Sequence, residues 1–371
     1  MKVSFYLQLS KGGILLNYEP IRIGNKETTV PIIQGGMGVG VSLSGLASAV
    51  ANCGGIGVIS GVQIGFREDD FERNSEAANI RAMIKEIHRA RELSPNGIIG
   101  MNLMVAIKNY DEMATAAAKS GVDLIISGAG LPSDLPKFVK GTNTKIAPIV
   151  SSGKAAALIT KLWKRRYDYY PDLIIVEGPE AGGHLGFSFE ELESAKEDSL
   201  ENILLDVIEE IKPFEKESGM KIPIIAAGGI FDGKDIAKFL KLGANGVQMG
   251  TRFVATEECD ATLEFKESYI NAKKEDIKLV LSPVGMPGRA ISNAFIKRTE
   301  QGRIKVEKCY LCLTPCKPAT TPYCISTALI NAVSNNIDNG LIFIGSSGYK
   351  LEKIQKVSEL INELVEDIKK S

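Results

Sequence analysis

Eight short apolar runs, the helix-period segments between them, and the small residues that close six of the runs together predict an α/β fold. The chain reads as a (β/α)8 TIM barrel with a small second domain and a C-terminal helix packed on the barrel. The runs are apolar throughout rather than alternating, as parallel strands covered on both faces require. Eight units in regular succession favour closure over an open doubly wound sheet. A length of 371 residues suits one large barrel with an appendage.

The predicted strands occupy 29–37, 55–61, 98–105, 122–130, 145–153, 172–183, 222–230 and 246–253. Within 72–93, Ile80, Met83, Ile84 and Ile87 recur at helical spacing, and Pro95, Asn96 and Gly97 stop the run. Leu200, Ile203, Leu204, Val207, Ile208 and Ile211 repeat the pattern within 199–215. The barrel is expected over 1–258, the small domain over 259–335 and a segment returning to the barrel over 336–371. In that last segment Ile354, Val357, Leu360, Ile361, Leu364, Val365 and Ile368 form one apolar stripe. Packing on the barrel is the expected use of the stripe, a homodimer face the other.

Composition limits the partners. A net charge of −1 carries no electrostatic footprint for nucleic acid or for an anionic membrane surface. No stretch approaches the ~18 uninterrupted apolar residues of a transmembrane helix. The first sixteen residues lack the apolar core and cleavage site of a secretory signal. Six cysteines without such a signal point to a reducing compartment, with the cytoplasm as the expected location.

Function is read from the strand ends, because barrels of this kind place their active sites at the carboxyl ends of the strands. Gly35, Gly36 and Met37, Asn102, Gly128, Ser151 and Ser152, the stretch from Glu180 through Gly182 to His184, Gly228 and Gly229, and Gly250 with Thr251 should converge on one mouth. Any one of these glycines is equally a tight turn; the ring of them is the signal. AAGGIFDG (226–233) and QMGTRF (248–253) fall after strands 7 and 8, where barrels often bind phosphate. Glycines admit an anion to backbone N–H groups, and a helix beginning near Asp232 would add its dipole. Thr251 offers a hydroxyl.

IIQGGMG (32–38), EAGGHLG (180–186), IIAAGGIFDG (224–233) and GVQMGTRF (246–253) together resemble the FMN-dependent nitronate monooxygenases, over roughly 20–300. The flavin-dependent enoyl-acyl-carrier-protein reductases are close relatives of that family. The resemblance implies FMN, with the backbone of Gly35, Gly36 and Met37 against the flavin ring and Asn102 bonded to the isoalloxazine or ribityl region. Ser151 and Glu177 would lie along the cofactor and Gly182 beside it. Gly228, Gly229, Gly250 and Thr251 would hold the phosphate. His184 would stand next to the flavin, to take an acidic C–H proton or to stabilise a nitronate or enolate oxygen. His88, at the border of an apolar helical stripe, reads as a flank residue.

The implied activity is oxidation of alkyl nitronates with O2. Two others stay open: NAD(P)H-dependent reduction of an enoyl thioester carried by acyl carrier protein, and a non-redox phosphate-binding barrel. In this family the region containing SPVGMPGRA (282–290) overhangs the cofactor, so its loops should set specificity. Beyond it, Cys309, Cys312, Cys316 and Cys324 have the spacing C-x2-C-x3-C-x7-C. That suggests a metal or iron–sulfur site but matches no standard zinc or ferredoxin pattern, so no metal ligand is assigned. Reduced thiols in a loop are the other reading.

Overall fold

A computed structural model describes residues 18–194 and 199–371. The N-terminal stretch read for a signal lies outside the described residues. Eight parallel strands follow one another: β1 (Ile32–Gln34), β2 (Ile56–Ser60), β3 (Ile98–Met104), β4 (Leu124–Gly128), β5 (Lys145–Val150), β6 (Ile174–Glu177), β7 (Ile224–Ala227) and β8 (Gly246–Met249). The barrel closes where β8 pairs with β1, Val247 beside Ile32 and Met249 beside Gln34. The apolar runs are explained by two buried faces. Ile33, Val58, Ile126, Ile175 and Ile225 fill the interior, while Ile32, Ile59, Ile125, Ile174 and Val247 pack outward under the helices. Ile21 and Ile23 plug the amino-terminal end of the barrel, Ile21 lying over the first residue of β8.

Helices begin and end where side chains satisfy their free backbone groups. The Ser152 hydroxyl accepts from the Ala155 N–H to start Gly153–Tyr167, and Ser199 caps Leu200–Ser218, which ends at Gly219 in the left-handed region, φ 69°. The second predicted helix therefore runs three residues past 215, through Pro213. The first is observed as Ser75–Leu93, with His88 exposed. At the C-terminus, Val357–Lys370 buries Val357, Leu360, Ile361, Leu364 and Ile368 against Gly233–Lys241 and Ser44–Asn52. The apolar stripe is thus used on the barrel.

The predicted strand 172–183 is two pieces. β6 ends at Glu177, and a separate two-residue strand, Gly183–His184, pairs antiparallel with Pro287–Ile291, which pairs in turn with Ile277–Leu281. Around this sheet Val280, Ala290, Phe295, Tyr323, Ala328 and Leu341 build a second apolar cluster that also buries Val39, just beyond β1. Pairing to that sheet takes His184 away from the barrel wall and sets it over the carboxyl ends of the strands.

Candidate active site

The twelve residues assigned to the cofactor and to chemistry line one cleft of about 420 Å³, whereas Ser152, also expected at the mouth, is spent on capping Gly153–Tyr167. Gly35, Gly36 and Met37 enter from β1, Asn102 from β3, Ser151 from β5, and Glu177 from the tip of β6. Gly182 and His184 come from the following loop, Gly228 and Gly229 from β7, and Gly250 and Thr251 from β8. Two of the glycines are fixed by geometry. A Cβ on Gly36 would stand 2.3 Å from the Asn102 Cβ, so strands 1 and 3 approach as closely as they do only because position 36 has none. Gly229 sits at φ 77°, where a side chain is strained.

The β7–β8 corner differs from expectation in one respect. Asp232 begins Gly233–Lys241 as expected, but its carboxylate accepts the N–H groups of Lys234 and Asp235, and Asp235 accepts those of Phe231 and Asp232. The backbone of the C-terminal helix covers Gly233 as well. The amino end of this helix is therefore satisfied from within and turned away from the cleft. In its place a third small-residue loop completes the corner. The Gly345 N–H donates to Thr251 Oγ1 at 3.1 Å, and the Ser347 hydroxyl donates to the Gly229 carbonyl at 3.3 Å. Gly182 lies against the same loop, a Cβ there falling 2.5 Å from the Gly345 nitrogen. Sequence reasoning missed Gly345 and Ser347, although IGSSG after the apolar LIFI repeats the strand-end signature.

His184 is held by residues that the sequence alone did not single out. Its Nε2 lies 2.7 Å from Ser282 Oγ, and its ring meets the Phe343 ring edge-on at 4.9 Å between centroids. Burial lowers its pKa to about 4, so the imidazole is neutral at pH 7. The tautomer is coupled to the direction of the Ser282 contact. If Nε2–H donates to Oγ, Nδ1 keeps a lone pair and can take a proton; if Oγ–H donates to Nε2, Nδ1 carries the proton and can give a hydrogen bond. Arg289 clamps the approach to the histidine, donating from Nη1 to the carbonyls of Pro179 at 2.6 Å and Ala181 at 2.7 Å.

Glu177, at the floor of the cleft, has its carboxyl pushed up to about 8 by burial and is mostly protonated at neutral pH. The Ser151 hydroxyl donates to the Gly186 carbonyl at 2.9 Å, tying the histidine loop down, and Asn102 Nδ2 makes only a long 3.4 Å contact with the Ile126 carbonyl. Gln248 Oε1 on β8 is buried in the cleft wall with no hydrogen-bond partner among the described residues. A buried orphan acceptor costs about 1–3 kcal/mol, which a donor on a bound ligand would recover. No group of three or more His, Cys, Asp or Glu is arranged to hold a metal among the described residues.

A sequence profile of the nitronate monooxygenase family matches residues 20–367. The chain belongs to the nitronate monooxygenase family. A probable nitronate monooxygenase of Staphylococcus aureus (strain MSSA476) is 27% identical over 299 residues, which cover 73% of this chain and 78% of that protein. Among solved structures, FabK from Thermotoga maritima superposes with a TM-score of 0.71 at 25% identity, over 92% of this chain and 94% of that one. The nitroalkane oxidase of Streptomyces ansochromogenes shares the fold, with a TM-score of 0.71 at 21% identity over 92% and 96% of the two chains. The chain is an oxidoreductase of this family, and among its described residues no helix is long and apolar enough to cross a membrane.

Proposed function

We propose that the chain is an FMN-dependent nitronate monooxygenase, oxidising alkyl nitronates with O2. The observation that carries this reading is the convergence of His184 and eleven strand-end residues on one cleft, inside a chain of this family. The cleft suits a mononucleotide. Its glycine ends admit a flat ring, Gln248 Oε1 awaits an N–H donor, and the corner of Gly228, Gly229, Gly250 and Thr251 fits a phosphate. Bound FMN would supply the electron transfer from nitronate to O2. The rest of the chemistry belongs to the chain. Neutral His184 accepts the C–H proton of a nitroalkane or orients a nitronate oxygen, Ser282 holds its Nε2, and the Phe343 and Tyr269 side chains help keep water from the reacting carbon.

The rival reading is reduction of an enoyl thioester by NAD(P)H in the same cleft. Anaerobic mixing separates the two. Propyl nitronate is expected to reduce the bound flavin and NAD(P)H to do so slowly or not at all. Fast reduction by NAD(P)H followed by crotonyl-thioester turnover would replace the nitronate reading with the reductase.

A further inference from the structure

The cysteine-bearing loop roofs a second, smaller cavity of about 40 Å³ behind His184. His184, Val62, Met104 and Leu329 wall both this cavity and the main cleft, so the two adjoin at the histidine. Tyr310, Leu311, Cys312 and Leu313 form the roof. The roof is pinned from two sides. Tyr310 stacks on Phe71 at 5.3 Å and takes the Ser75 hydroxyl on its carbonyl at 3.0 Å. On the other side the Lys108 N–H donates to the Cys312 carbonyl at 3.2 Å and the Thr314 N–H to the Ala106 carbonyl at 2.9 Å.

The polar residues of the wall largely satisfy one another. Asn79 Nδ2 donates to Gln63 Oε1 and Gln63 Nε2 to Ser326 Oγ, each at 2.8 Å. What remains toward a guest is mainly aliphatic, from Ile107, Met113, Leu313, Ile325 and Leu329, with two exceptions, Glu76, paired with Lys108 at 3.8 Å, and Asn109. Asn109 Nδ2 is buried in this wall with no hydrogen-bond partner among the described residues.

We infer that this chamber receives the tail of the substrate: an unbranched aliphatic chain of about three or four carbons beyond the reacting carbon, carrying a hydrogen-bond acceptor for Asn109. The length follows from the volume, since a water-sized group occupies roughly 10–15 Å³ by this measure. The inference rests on the nitronate reading for its substrate but not for its geometry. The cysteine loop then acts as a specificity wall.

Binding and turnover test it separately. Straight-chain primary carboxamides from acetamide to octanamide present an uncharged head group and need no reaction. Their affinity for the holoenzyme, measured by calorimetry, is expected to rise about fourfold per methylene for three or four carbons and then level off. Leu313→Trp should fill the chamber and flatten the series to within about twofold. Leu313→Ala should move the plateau to longer chains, so the proposal does not depend on one variant folding. With the nitronates of nitroethane through nitrooctane, kcat/KM should follow the same profile. A terminal hydroxyl should add about tenfold, an advantage that Asn109→Leu removes. A flat amide series in the unmodified enzyme, or a rising one that both Leu313 variants leave unchanged, overturns the chamber. If no nitronate turns over while the amide series still climbs and levels, the reaction reading falls and the chamber stands.

Discussion

His184 and Glu177 are half-buried ionisable groups in the cleft whose preferred forms at pH 7 are both neutral, and each makes a separate prediction. With the histidine held near 4, its base form persists through mild acid. For neutral nitroalkanes, kcat/KM should therefore stay level from pH 7 to about 5 and fall with a limb near 4, where an exposed imidazole would give one near 6.5. His184→Asn keeps a hydrogen-bonding group but cannot take the proton. It should cost neutral nitroalkanes about 10²–10⁴-fold and preformed nitronates much less. Equal losses on both would make His184 an orienting group. Glu177 has the opposite sign of pH dependence. Its folded-state pKa is raised, so its neutral form prevails below about 8 and a desolvated carboxylate appears as pH rises through that value. FMN affinity, followed by equilibrium dialysis of the apoprotein, should weaken between pH 7 and 9, and Glu177→Gln should abolish the trend. A flat native profile would place the carboxyl away from the cofactor.

At the scale of elements, the corner proposed to hold the cofactor joins three small-residue turns, after β7, after β8 and at Gly345–Ser347. Gly229→Val tests it, because a β-branched residue at φ 77° is strained and its Cβ would lie 2.3 Å from Glu180 Oε2. Bound flavin per chain should fall well below that of the native protein. Full occupancy would move the phosphate elsewhere. Much of this was legible in the sequence, because strands buried on both faces leave unbroken apolar runs and the turns after them need glycine. What was illegible comes from distant segments with no periodic mark. Ser282 reaches His184 across 98 residues, and Gly345 reaches Thr251 across 94. A two-residue strand such as Gly183–His184 is too short to show alternation, so the histidine was assigned a position just past the end of a barrel strand. Arg289 lay in view within SPVGMPGRA, but only the fold shows it holding the carbonyls of Pro179 and Ala181. The amino end of Gly233–Lys241 was misjudged for a different reason. Asp232 and Asp235 look like the start of a helix, as they are, and the pattern cannot show that they use up the N–H groups a phosphate would need.

For the whole molecule, the closed barrel supplies a rigid ring of strand ends, and the small sheet with its apolar cluster lowers His184 over them. The C-terminal helix buries its stripe on Gly233–Lys241, buttressing the strand 7–8 side, where the proposed phosphate corner lies. The proposed function requires that ring to be a mononucleotide site. The most direct measurement is to denature the purified holoprotein by heat and identify and count the flavin released. One FMN per chain is the expected result; FAD, or a colourless protein that does not take up added FMN, would contradict it.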